Sequence, residues 1–151
     1  PQDTEKAFIE LEGKRFLRTG DLGYYDEDGY FFMVDRIKRM INASGYKVWP
    51  SEVESLMYRH PAIKQCCVIS SPDARRGEAV KALVTLHPGR QDTTASDIIE
   101  WCKANMSAYK VPATLEFREH LPQSGAGKLL WRQLQDEEWA AHAPTISGTG
   151  S

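Results

Sequence analysis

Three places in the sequence hold residue types that could do chemistry. Asp21 stands in RTGDLG, between glycines that let the backbone come close to whatever its carboxylate faces. Such an aspartate can cap a turn, and it can equally accept two hydroxyl protons from a diol such as ribose. Arg36 ends the run YFFMVDR and suits either a surface ion pair or a contact to phosphate or ribose. Lys128 follows LPQSGAG, a stretch without bulk that presents a single ammonium group. The phosphate-loop pattern G-x-x-x-x-G-K-[ST] fails here, because Leu129 follows Gly127-Lys128 and the earlier glycine is misplaced. A lysine on a mobile loop can still stabilise negative charge that develops on an oxyanion or a leaving phosphate.

Between these places lies Val34–Glu54, VDRIKRMINASGYKVWPSEVE. It mixes Arg36, Lys38, Arg39 and Lys47 with apolar residues and sets Ser44-Gly45 between two β-prone runs. Gly45 allows a tight turn or a close backbone approach to a ligand. Pro50-Ser51-Glu52 reads as a helix start, with proline in the first turn and an acid near the positive end of the helix dipole.

The elements that must position these residues follow from periodicity. Ala7–Leu11 alternates, and Asp28-Gly29 between aromatic runs signals a hairpin leading into Tyr30–Val34. Val53, Leu56 and Met57 form a helical stripe over Ser51–Arg59, ended by His60-Pro61. Ile63–Ser70 and Ala79–His87 read as strands separated by a polar turn, Ser71–Glu78. Thr94 or Ser96 can cap a helix over Asp97–Asn105 with Ile98, Ile99 and Trp101-Cys102 inward. Leu115–Phe117 is a short strand, and Gly127–Trp139 a final amphipathic helix with Leu129, Leu130 and Leu134 inward. The fold class is α+β: a β-hairpin region, then a small sheet of about three strands packed with helices. Residues 1–36 have little core of their own and need a partner, and 140–151 read as a disordered tail.

The 151 residues carry a formal charge of −2 and 41% hydrophobic residues, enough for one domain with a real core. The near-neutral balance gives no support for nucleic-acid binding or bulk membrane attraction. Cys66, Cys67 and Cys102 show neither C-x-x-C nor histidine at ligand spacing, so buried reduced thiols are expected and no metal site. No run reaches the roughly 18 apolar residues of a membrane span, and no signal peptide is visible, which points to the cytoplasm.

RTGDLG, DRIKRMINASGYKVWPSEVE, PDARRGEAVKALV, YKVPATLEF and LPQSGAGKLLWRQL occur in that order. Together they resemble the C-terminal part of the adenylate-forming superfamily, which includes acyl- and aryl-CoA synthetases, peptide-synthetase adenylation domains and beetle luciferases. The match covers about Arg15–Leu134, and the wording around Trp49 looks most like bacterial fatty-acyl-CoA ligases. The resemblance implies a two-step ligase in which a carboxylate attacks ATP to give an acyl-adenylate, and CoA then displaces AMP.

By motif position, Lys128 would be the catalytic lysine of adenylation, bridging the substrate carboxylate and the α-phosphate. Lys38 stands at the hinge position, while Asp21 and Arg36 would contact the AMP ribose. Ser44, Gly45 and Tyr46 would line the pantetheine tunnel, with Tyr109 and Arg76 holding the CoA nucleotide. ATP with Mg2+ and CoA are implied as substrates of the full-length enzyme, together with a fatty or other carboxylic acid; no cofactor is expected to stay bound to this part. On this reading 1–36 end an N-terminal domain and 37–139 form a mobile lid. That larger domain, with its phosphate loop and acyl pocket, is the main partner, so this fragment alone is expected to be inactive. The alternatives are the same part of a peptide-synthetase-type enzyme loading a carrier protein, and a non-catalytic α+β binding module.

Overall fold

The computed structural model describes residues 6–143. The chain divides into two compact units, the first ending at Met40 and the second beginning at Ile41.

The first unit consists of two antiparallel hairpins. Strands β1 (Phe8–Leu11) and β2 (Lys14–Leu17) pair Leu11 with Lys14 across Glu12-Gly13. Strands β3 (Asp21–Tyr25) and β4 (Phe31–Arg36) pair Asp21 with Arg36 at their open end. The loop between β3 and β4 is held by Asp26, whose Oδ1 accepts the backbone N–H groups of Asp28 and Tyr30. Apolar side chains on both hairpins remain exposed, among them Leu11, Leu17, Tyr25, Tyr30, Phe31 and Met33. A 3-10 turn, Ile37–Arg39, closes the unit.

The second unit is a five-stranded sheet flanked by three helices, α+β as expected, with more strands than the sequence led one to expect. The β-prone runs on either side of Ser44-Gly45 supply β5 (Ile41–Ala43) and β6 (Tyr46–Val48), three residues each, which join this sheet. The hairpin β7 (Ile63–Asp73) and β8 (Gly77–Leu86) forms the centre, and β9 (Thr114–Phe117) runs parallel to β8. The expected long turn Ser71–Glu78 shrinks to Ala74–Arg76. Asp73 Oδ1 accepts the N–H groups of Arg75 and Arg76, so both strands continue closer to the turn.

Successive residues of a strand point to opposite faces, and here both faces are covered. Cys66, Val68, Val80, Ala82 and Val84 join the front core with Val53 and Met57 of α1 (Pro50–Met57) and Ile98 and Cys102 of α2 (Ala95–Asn105). Cys67, Ile69 and Leu83 form the back core with Leu121 and with Leu134 of α3 (Trp131–Ala141). Helix α1 starts on Pro50 with Glu52 in its first turn. Helix α2 opens with a reciprocal cap, in which Thr94 Oγ1 accepts from Asp97 N while Asp97 Oδ2 accepts from Thr94 N. All three cysteines are buried, and none forms a disulfide.

Helix α3 begins at Trp131, not at Gly127, and extends through Ala141, so the first residues of the expected tail are helical; residues 144–151 lie outside the described residues. The stretch before α3 folds back on itself instead. Gln123 bridges Leu129, and the Ser124 N–H donates to the Lys128 carbonyl at 2.8 Å. Leu130 is correspondingly exposed, while Leu129 packs on the back core.

Strand β7 lies at the edge of the sheet, where unpaired backbone groups would invite another strand. Side chains fill them. The N–H groups of Cys66, Val68 and Ser70 donate to Tyr58 Oη, Glu54 Oε1 and Gln135 Oε1, and Trp139 Nε1 donates to the Ser70 carbonyl.

Candidate active site

The residues singled out by the sequence fall into three groups. Asp21 and Arg36 face each other across β3 and β4, with Arg36 Nε 3.3 Å from Asp21 Oδ1. Arg36 is the more open of the two, its side chain 63% exposed. A cleft of about 820 Å³ beside this pair is lined by Gly20, Asp21, Ile37 and Lys38, among others. Lys38 itself lies in the 3-10 turn just ahead of the boundary between the units.

In the second unit, Ser44, Tyr46, Arg76 and Tyr109 line one cleft of about 270 Å³. Ala43, Val80, Ala108, Val111 and Ala113 complete its lining. The Tyr46 and Tyr109 rings stack with centroids 5.0 Å apart. Gly45 closes the two-residue turn beside them at φ +85°, and a Cβ built there would meet nothing within 4 Å. Its place therefore needs glycine for backbone conformation and leaves an open path along the main chain. The cleft can hold a flexible chain ending in an aromatic, anionic group: aromatic faces, apolar floor and an exposed guanidinium are all present.

The sequence did not reveal what braces this cleft. Lys110 Nζ reaches Glu52 Oε1 of α1 at 2.6 Å, and this hydrogen bond holds the ammonium above the usual lysine range. The partners are 58 residues apart, beyond any local signal. Glu78 Oε2 likewise accepts the N–H of Asn42 at 2.8 Å.

Lys128 forms the third group. It is exposed on the tight loop before α3, with its own N–H bonded to Ser124 Oγ at 3.2 Å. Gly127, at φ +81°, makes the turn that precedes it. Among the described residues no side chain pairs with its ammonium group. The loop rests on the back core through Leu121 and Leu129, whereas Ala43 and Val80 of the cleft belong to the front core. Lys128 and the cleft are thus anchored on opposite faces of one sheet.

Residues 52–128 match the model of the AMP-binding enzyme C-terminal domain. The chain belongs to that family. Over 138 residues it is 43% identical to a long-chain-fatty-acid–CoA ligase of Bacillus subtilis, covering 91% of this chain and 24% of the relative. It is 44% identical over 138 residues to the mitochondrial acyl-coenzyme A synthetase ACSM3 of Mus musculus, covering 89% and 24%. Among solved structures, the fatty acyl CoA synthetase of Mycobacterium tuberculosis superposes with a TM-score of 0.71 at 33% identity, covering 93% of this chain and 27% of that one. ATP-bound MatB from Rhodopseudomonas palustris superposes with a TM-score of 0.81 at 28% identity, covering 91% and 26%. The chain spans about a quarter of the length of the curated relatives it matches. Among the described residues no helix is long and apolar enough to cross a membrane, and no group of three or more His, Cys, Asp or Glu could hold a metal ion.

Proposed function

We propose that this chain is the C-terminal part of an ATP-dependent fatty-acid–CoA ligase. The observation that carries the proposal is the separation of two chemistries: Lys128 is displayed from the back of the sheet, and the cleft of Ser44, Tyr46, Arg76 and Tyr109 from the front.

In the first step a carboxylate oxygen attacks the α-phosphorus of ATP, and pyrophosphate leaves. Negative charge builds on both reacting groups, and the exposed ammonium of Lys128 is suited to bridge them. In the second step the CoA sulfur attacks the acyl carbonyl, and AMP leaves with the bonding electrons. The cleft would guide the pantetheine arm past Gly45, with Arg76 and Tyr109 holding the nucleotide end. Both steps act on one acyl group held by a preceding domain, so the two faces must be presented in turn. Lys38, just before the unit boundary, is the proposed pivot. Asp21 and Arg36 would hold the AMP ribose. Mg2+ would arrive with ATP as part of the substrate.

Residues 1–36 would complete the preceding domain, and their exposed aromatic and aliphatic side chains are the surface it would cover. Residues 37–139 would move as the lid. The acyl pocket would lie in that domain, so this chain is expected to be inactive by itself.

The test uses the full-length ligase, with carboxylate-dependent ATP–pyrophosphate exchange measured across short, medium, long and aromatic acids. Lys128→Ala should lower exchange by about 100- to 1,000-fold, the scale for one preorganised charge at a transition state. Thioester formation from supplied acyl-adenylate should persist in the same variant. Normal exchange in Lys128→Ala would sink the assignment.

A further inference from the structure

We infer that Glu78 is a positioning residue that sets the thiol-side cleft by latching its first wall to its second. The inference rests on the proposed function of that cleft. One wall is the hairpin β5–β6 with Ser44 and Tyr46, and another is the start of β8 with Arg76 and Val80. Backbone pairing between β5 and β8 occurs at a single position, Ala43 with Gly77. A strand held at one position can pivot there, which would change the width of the cleft.

The next residue of β8 supplies the restraint. Glu78 is half-buried, and its Oε2 accepts the Asn42 N–H at 2.8 Å, extending the junction by a hydrogen bond that the backbone does not make. Asn42 in turn uses Oδ1 to accept the Gly45 N–H at 3.0 Å. This relay runs from β8 directly into the turn that lines the cleft. The turn needs bracing, because Ser44 sits at φ +55°, where a residue with a Cβ is disfavoured. Since Arg76 lies two positions before Glu78, one side chain fixes the turn relative to the guanidinium. Glu78 touches no proposed substrate atom and acts through Asn42 and Gly45.

The test compares Glu78→Leu, which removes the acceptor, with Glu78→Gln, whose carboxamide oxygen can still accept the Asn42 N–H. In the full-length ligase, thioester formation from supplied acyl-adenylate is followed against CoA concentration, with pyrophosphate exchange as the check on folding. Glu78→Leu should raise KM for CoA about fivefold, the scale of one lost hydrogen bond, while Glu78→Gln stays within about twofold of wild type. Equal behaviour of the two variants, or an unchanged KM in Glu78→Leu, overturns the inference. Arg76→Ala tests the underlying reading separately. If it leaves KM for CoA unchanged, the cleft is not the CoA site, and that reading fails whatever Glu78 does. Should Glu78→Leu also depress pyrophosphate exchange, amide hydrogen exchange on the full-length ligase decides. Faster exchange confined to Asn42 and Gly45 in the Leu variant supports the latch, and unchanged or uniformly faster exchange overturns it.

Discussion

The front and back of the five-stranded sheet hold their helices by different physics. On the front, α1 and α2 meet the strands chiefly through apolar atoms, Val53, Met57, Ile98 and Cys102 against Cys66, Val68, Val80, Ala82 and Val84, with polar ties only where Glu54 and Tyr58 reach the edge of β7. On the back, α3 buries only Leu134 completely, rests Trp131 partly against the same core and is otherwise tied by polar groups. Lys81 Nζ lies 2.6 Å from Glu138 Oε2 and 2.8 Å from Glu116 Oε2. Ser71 Oγ donates to Glu138 Oε1 at 2.6 Å, and Trp139 Nε1 donates to Ser70 Oγ at 2.9 Å. Apolar burial is non-directional and fixes a helix loosely in rotation, whereas hydrogen bonds fix its register. The helix held by hydrogen bonds is the one that continues directly from the loop carrying Lys128.

The largest expected effect falls on the front. Ile98→Ala removes a wholly buried side chain from α2 and should cost about 4 kcal/mol in urea unfolding. The back should respond differently to removal and to replacement. Glu138→Ala takes the acceptor from Ser71 and leaves Lys81 with Glu116 alone, and should cost about 2 kcal/mol. The double variant Lys81→Met with Glu138→Leu replaces the pair by apolar groups of similar size, and should recover most of that loss. A double variant no more stable than Glu138→Ala would mean that the network itself stabilises the back, and the contrast between faces would need revision.

Alkaline pH separates the faces next. Burial pushes the Cys102 thiol up to about 11. Tyr58 at the end of α1 is also raised, chiefly by burial. For a raised group, the stabilisation is complete below the unfolded value and is lost as pH rises through the folded one. Front stability should therefore fall from about pH 9 upward, by roughly 3 kcal/mol for Cys102 once pH exceeds its folded value. On the back, burial alone would lower Lys81, but its hydrogen bonds to Glu116 and Glu138 outweigh this and raise it above the ordinary lysine value. Its contribution has the same sign and persists to higher pH. Arg118 pairs with Glu116, and the His142 imidazole lies 3.6 Å from Glu138. Urea midpoints compared at pH 8 and 10 should drop in wild type and drop less in Cys102→Ala, while Lys81→Met keeps the wild-type slope. An equal slope in Cys102→Ala would remove the thiol from the account.

The same contrast explains what could be read in advance. Local signals were legible: a helix cap at Thr94 or Ser96, which the fold places at Thr94, the Asp28-Gly29 hairpin, and Cys66 and Cys67 inside an apolar run that proved buried. The gathering of Ser44, Tyr46, Arg76 and Tyr109 in one cleft could not come from periodicity; those residues were named by family resemblance, and the fold brings them together. Lys128 was placed at a helix start because Leu129, Leu130 and Leu134 suggest a helical stripe. The Gln123–Leu129 bridge competes successfully for that stretch, and the helix begins later. Polar ties such as Lys81–Glu138 and Lys110–Glu52 join residues more than 50 positions apart. Their partners are chosen by tertiary structure, so no local pattern announces them.

The smallest predicted effect concerns the front hairpin. Ser44 and Gly45 both have positive φ in a two-residue turn between Ala43 and Tyr46, the conformation for which Asn-Gly is the favoured pair. Glu12 and Gly13 form the corresponding turn between Leu11 and Lys14, also with positive φ at both residues. Asparagine tolerates this backbone region better than serine or glutamate. Ser44→Asn should therefore raise the urea midpoint by about 0.5 kcal/mol in stability, and Glu12→Asn should gain a similar amount on its own hairpin. The turns differ in one respect: Asn42 already braces the Ser44 turn through the Gly45 N–H. A gain at position 12 without one at 44 would mean that this brace has already offset the strain. A gain at both would mean that serine is kept at a conformational cost where it lines the cleft, and Ser44→Asn should then raise KM for CoA while leaving pyrophosphate exchange unaffected.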